Sequence, residues 1–162
     1  MDSSADRLFR QLDDAQKNRA RLTWLIYDEL RRELGAARAE AVLARAIERR
    51  GAEVGRALFG GLDDPTPEEV AGAFLAQSPA DGRIFPHTAR PTEDGGIEIA
   101  VHRCPLKDAW VEAGLGDDDL ATICRIAGRF DDGCFGAAGI GFRAETWKPG
   151  HAGCCTLRLT SR

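Results

Sequence analysis

Ile97-Glu98-Ile99-Ala100-Val101-His102-Arg103-Cys104-Pro105-Leu106-Lys107-Asp108-Ala109-Trp110 decides the fold class, because its hydrophobic period changes partway along. Ile97, Ile99 and Val101 alternate with Glu98, Ala100 and His102, the pattern of a half-buried strand entered through the turn Asp94-Gly95-Gly96. From Pro105 to Gly114 the spacing becomes helical, with Leu106, Ala109, Trp110 and Ala113 on one face. Cys104 therefore ends a strand and stands at the head of a helix.

Working outward, Asp117 to Ala127 places Leu120, Ile123, Cys124 and Ala127 on one face, which predicts a second short helix. Ile140, Phe142 and Ala144 alternate with Gly141, Arg143 and Glu145. Cys155, Leu157 and Leu159 alternate with Cys154, Thr156 and Arg158, and Arg83 to Ala89 supplies a fourth strand. The glycines Gly133, Gly136, Gly139 and Gly141 follow no strand and precede no helix, so they read as a loop and not as a dinucleotide fingerprint. The expectation is an antiparallel sheet of about four strands covered by two short helices.

The half before Gly82 is helical. Leu22, Ile26, Leu30 and Leu34 form an apolar stripe that Gly35 ends, with Asp28, Glu29, Arg31, Arg32 and Glu33 on the other faces. Ala39, Val42, Leu43, Ala46 and Ile47 begin a second helix, which continues through Gly51 and Gly55 towards Phe59. Glycine costs helix propensity, roughly 1 kcal/mol relative to alanine. Two on one face predict close approach of a neighbouring element. Thr66-Pro67-Glu68-Glu69 is a capping box with proline at the first helical position, predicting a helix to about Gln77. Leu8, Leu12 and Ala15 mark residues 1–19 as a charged helical arm for packing or dimerisation. Segregated helices and strands give an α+β fold, with residues 1–162 as one domain: the arm, a helical half over 20–77 and a sheet-containing half over 83–162.

A chain of 162 residues, 43% hydrophobic and 30% charged, suits a single sizeable core. A net charge of −4 without a Lys/Arg block argues against nucleic acid and for a small-molecule substrate. No apolar run approaches the roughly 20 residues of a membrane span. Met1-Asp2-Ser3-Ser4-Ala5-Asp6 has neither the basic nor the apolar region of a secretory leader, and the expectation is a cytoplasmic protein. In a reducing compartment an odd count of five cysteines implies free thiols or metal ligands.

Cys104 is the strongest nucleophile or ligand candidate, since the N–H groups of a helix N-terminus favour a thiolate; an inert capping cysteine is the competing reading. His102, assigned to the same strand face, and Asp108 are candidate proton-transfer groups. Cys124 sits in an apolar stripe, where cysteine commonly acts as a small hydrophobe. Cys155 points inward with Leu157 and Leu159, and Cys154 the other way. Were Cys104, Cys124 and Cys155 to converge, three soft ligands would suit zinc or iron with one position open for water, although no CxxC pair supports it. Exposed acidic groups such as Asp131-Asp132, placed in a loop, are usually solvated. Arg143 could clamp a carboxylate or pair across strands with Glu145.

The runs Ala20-Arg21-Leu22-Thr23-Trp24, Ala46-Ile47-Glu48-Arg49-Arg50-Gly51-Ala52-Glu53-Val54-Gly55, Cys104-Pro105-Leu106-Lys107-Asp108-Ala109-Trp110 and Gly153-Cys154-Cys155-Thr156-Leu157, in this order, resemble the L-2-amino-thiazoline-4-carboxylic acid hydrolase family. The resemblance runs from about Ala20 to the end. It implies ring-opening hydrolysis of a thiazoline carboxylate towards an N-carbamoyl-cysteine, with water activated against the ring carbon, a donor for the departing nitrogen and a cation for the carboxylate. On this reading Cys104, Cys124 and Cys155 form the reactive or metal-binding cluster, His102, Asp108 and Cys124 join Cys104 as catalytic candidates, and Arg143 and Trp147 bind substrate. The family is also distantly similar to vinyl-reductase-type small-molecule-binding domains, which implies a homodimer through the N-terminal helices. It supplies the alternative of a ligand- or metal-binding module without turnover.

Overall fold

The structure is a computed structural model and describes residues 3–162, so Met1 and Asp2 of the leader reading lie outside the described residues. Helix α1 (Ser4–Leu34) opens on a capping box between Ser3 and Asp6. Gly35, at a φ of 79°, makes the break to α2 (Ala36–Phe59) that a side chain would strain. Next come α3 (Pro67–Ala76), capped reciprocally by Thr66 and Glu69, and strands β1 (His87–Pro91) and β2 (Ile97–Val101). Helices α4 (Pro105–Glu112) and α5 (Asp117–Gly136) precede β3 (Gly141–Glu145) and β4 (Cys155–Thr160). The fold is α+β, with one antiparallel sheet in the order β1-β2-β4-β3.

Register places His87 opposite Val101 and Val101 opposite Cys155. Directly opposed residues share a sheet face, so these three make one row. Ile99 and Leu157 make the next on the helix-covered face. Arg90, Glu98, Arg158 and Arg143 alternate onto the other face, where Arg90 and Arg158 both pair with Glu98.

Helices α2 and α5 pack backbone to backbone. A Cβ on Gly51 would stand 2.0 Å from the Phe130 carbonyl oxygen, one on Gly55 2.2 Å from that of Cys134, and one on Gly133 2.0 Å from that of Glu48. The glycine pair in α2 is thus a packing surface, as its spacing predicts. Gly133 answers it from α5.

Four local expectations are corrected. Residues 4–19 open α1, which runs unbroken into the predicted first helix. Most of its stripe faces the wrong way: Leu22 is 56%, Ile26 43% and Leu34 40% exposed, beside Leu25 at 58%, while Leu30 packs against the core. The buried side instead carries Ala20, Tyr27 and Asp28. Trp110 fixes that phase by donating its indole N–H to the Ala20 carbonyl at 2.8 Å, and Arg31 lies over the Trp24 and Tyr27 rings while bonding Asp28. Helix α4 packs on α1 and does not cover the sheet. Helix α5 continues past Ala127 through Asp131 and Gly133, because glycine here serves close packing and not a loop. Strand β1 starts at His87, several residues later than expected, since residues 80–83 form a turn.

Candidate active site

A cavity of about 720 Å³ opens between the sheet and helices α1 to α5. Four of the five cysteines reach it: Cys104, Cys124, Cys154 and Cys155. Cys104 is the N-cap residue of α4, with Pro105 next. Proline sacrifices no N–H that the helix needs there, and the free amides of Leu106 and Lys107 lie near the sulfur without closing a cap hydrogen bond to it. The Cys154 thiol donates to Cys104, and with the Lys107 and Leu106 N–H groups it brings the Cys104 thiol down to about 7 against the opposing effect of burial. Near neutral pH a large fraction is thiolate.

Cys154 is placed by two bonds. Its N–H donates to the Val101 carbonyl at 3.2 Å, and the Lys107 ammonium reaches the Gly153 carbonyl at 2.6 Å. Its Sγ lies 3.7 Å from that of Cys155. Bonding to Cys104 and Cys155, together with burial, holds the Cys154 proton on well above the usual thiol range. Strict alternation would send Cys154 to the far face, but β4 begins only at Cys155, so Cys154 is free to turn into the cavity.

Asp131 brings a carboxyl into the same cavity. Burial, then the Cys104 charge, then neighbouring Asp132, raise it to about 7. Asp132 is engaged by Arg129 at 2.7 Å, which also holds Glu48 at 2.6 Å. Among the described residues Asp131 has no such partner. Arg19, also without one, is exposed on α1 and lends its head to the cavity lining, where desolvation disfavours its charge and Cys104 favours it. Three residues earlier, Gln16 Oε1 is buried and accepts no hydrogen bond. Buried polar atoms are almost always satisfied, so an orphan acceptor on a cavity wall is a place for a ligand N–H.

His87 lines the cavity too, its Nδ1 2.8 Å from the Phe85 carbonyl. A carbonyl only accepts, so Nδ1 carries the proton and Nε2 is left as the acceptor of the neutral ring.

The other sequence-derived candidates lie elsewhere. His102 is exposed, and among the described residues only its backbone N–H is engaged, donating to the Pro86 carbonyl. Asp108 is bonded to Arg103 at 2.7 Å, and Arg103 to Asp13 at 2.8 Å, an ion network outside the cavity lining. Arg143 pairs along its own strand with Glu145 at 3.0 Å on the solvent side, so it is neither a clamp over the cavity nor a cross-strand pair. Trp147 is buried in the core with Lys107 over its ring. Cys134 is core as well, its thiol raised to about 11 by burial and by Asp131.

Cys104, Cys124 and Cys155 share the cavity, but among the described residues no three His, Cys, Asp or Glu side chains are placed to hold one metal ion. Burial, Cys155 and Cys104 push the Cys124 thiol up to about 12. The zinc or iron expectation finds no ligand set here. No helix is long and apolar enough to cross a membrane among the described residues.

No curated protein and no solved structure matches the chain. The family described as L-2-amino-thiazoline-4-carboxylic acid hydrolase matches residues 15–159, from the α1 residues Gln16 and Arg19 to β4. The shared span includes every cavity residue discussed above, and the chain belongs to the L-2-amino-thiazoline-4-carboxylic acid hydrolase family.

Proposed function

We propose that the chain hydrolyses a small cyclic amidine carboxylate of the 2-amino-thiazoline type, with Cys104 as nucleophile and Asp131 as the proton-transfer group. The observation that carries this is a thiol lowered to about 7 sharing a cavity with a carboxyl raised to about 7. Environments that push a thiol and a carboxyl towards the same pH allow one proton to be passed between them and the substrate.

The Cys104 thiolate adds to ring carbon C2 while protonated Asp131 gives its proton to the ring nitrogen. The adduct expels the ring sulfur as a thiolate, which opens the ring and leaves C2 bonded to Cys104. Asp131, now a carboxylate, takes a proton from water as that water adds to C2. Collapse breaks the C2–Cys104 bond, restores the thiolate, and sends the hydroxyl proton to the product thiolate. An N-carbamoyl product requires the C2–S bond to break. The departing atom is therefore sulfur, not the nitrogen that the family resemblance implied, and the donor acts on the nitrogen that remains. Arg19 replaces Arg143 as the carboxylate partner, and Gln16 Oε1 accepts from the exocyclic amino group.

Acid-quenched mass spectrometry of enzyme with substrate tests the covalent step. The reading expects the opened substrate on the peptide bearing Cys104. Rapid product formation with no adduct at any quench time contradicts it.

The largely apolar walls favour a second reading, a ligand-binding domain without turnover, which would bind the ring acid and leave it intact. We also read the outward row Leu22, Leu25 and Ile26 as a face covered by a second copy of the chain. Leu25→Glu then lowers the mass seen by light scattering to that of a monomer; an unchanged mass removes this assignment.

A further inference from the structure

We infer that this site takes a molecule larger than the bare ring acid: a 2-amino-thiazoline-type carboxylate whose exocyclic nitrogen carries an apolar substituent lodged beneath α3. The inference rests on the proposed reading of the polar end of the cavity and deepens it.

A ring acid of about nine non-hydrogen atoms, at about 30 Å³ each, fills no more than about 270 Å³. The cavity holds about 720 Å³. More than half would stay empty or wet.

The two ends differ in chemistry. Cys104 bonds Cys154 and interacts electrostatically with Arg19, Asp131 and Cys124, so these groups gather around one sulfur. Cys124, Trp110 and Leu106 belong to the core cluster on that side. Leu58, Phe74, Leu75, Ile99 and Leu157 line the same cavity but belong to the other cluster, the one around Phe135 under α3, with the exposed Arg50–Glu53 ion pair and Gln77 as polar neighbours in the lining. The cavity thus runs from one core into the next. Leu58, Phe74 and Leu75 are each only half-buried, and they present apolar surface that a hydrocarbon covers and water does not.

The attachment point follows from the reaction. The carboxylate is held by Arg19, and the ring sulfur must be free to leave. The exocyclic nitrogen can carry a substituent and still keep one N–H for Gln16 Oε1.

The test uses the native protein and 2-(alkylamino)thiazoline-4-carboxylates bearing hydrogen, ethyl, butyl or hexyl on that nitrogen. kcat/KM is expected to rise by about fourfold per buried methylene until the arm is filled. Turnover of the unsubstituted ring with a flat or falling series overturns the inference and leaves the hydrolase reading in place. Absence of turnover across the series overturns the hydrolase reading instead. Displacement of an apolar fluorescent dye by the same compounds then reads the arm on its own: tightening with chain length supports it, and equal displacement overturns it.

Discussion

Lys107 donates to the carbonyl of Gly153 at 2.6 Å, and that bond ties the head of α4 to the segment carrying Cys154. Cys104 and Cys154 lie far apart in sequence, yet the sulfur of one accepts from the thiol of the other. The activated thiol is therefore assembled by two segments, and helix α4 supplies only part of the effect. Cys154→Ala should move the Cys104 pKa up from about 7 towards the ordinary thiol range of about 8.5. The rate of iodoacetamide alkylation against pH measures it. An unshifted profile assigns the whole effect to the α4 amides.

The pH dependence of kcat/KM should be bell-shaped about neutrality. The productive form has Cys104 as thiolate and Asp131 protonated. Below about 7 the lowered Cys104 thiol regains its proton and the nucleophile is lost; above about 7 the raised Asp131 carboxyl loses its proton and the donor is lost. The two limbs belong to the pair, since the groups interact. Asp131→Asn should flatten the alkaline limb and lower kcat by about 10²–10⁴-fold. A rate that only rises with pH would assign Asp131 no donor role.

Gly55→Ala tests the contact on which the cavity wall rests. Its new methyl meets the Cys134 carbonyl oxygen at 2.2 Å and the Ala137 Cβ at 2.9 Å, so α2 and α5 must separate. Overpacking of this kind costs about 1–3 kcal/mol. Calorimetry should show a thermal midpoint lower by several degrees. No change would mean that the helices can slide apart freely.

The layout of the fold was legible in the sequence because periods are local: strand alternation at Ile97–Val101, the capping box at Thr66 and the glycine pair in α2 each follow from neighbouring residues. Helix phase was not. Leu22 and Ile26 have core-like spacing, but the bond from Trp110 to Ala20 and the stacking of Arg31 turn the other side of α1 inward. Such contacts come from residues remote in sequence, and no periodicity encodes them.

The site was half legible for the same reason. Cys104 announces itself beside Pro105. Asp131 also left a signal, since it continues the stripe Leu120, Cys124, Ala127 by one helical turn, and a carboxylate on a buried stripe is unusual. Ending the helix at Ala127, before the glycines, hid it. Gln16 and Arg19 sit one turn apart on α1, and only the burial of Ala20 reveals that they look inward. Arg143 misled even though the alternation with Phe142 and Ala144 already sets it on the polar face of β3, away from the helix-covered side.

Thiol-based ring opening is read out as free thiol release from 2-amino-thiazoline-4-carboxylate with native protein and with Cys104→Ser, both checked for folding by circular dichroism. One thiol released per ring consumed is expected of the native protein, and a loss of at least about a thousandfold of the variant. Thiol release that persists in Cys104→Ser would contradict it.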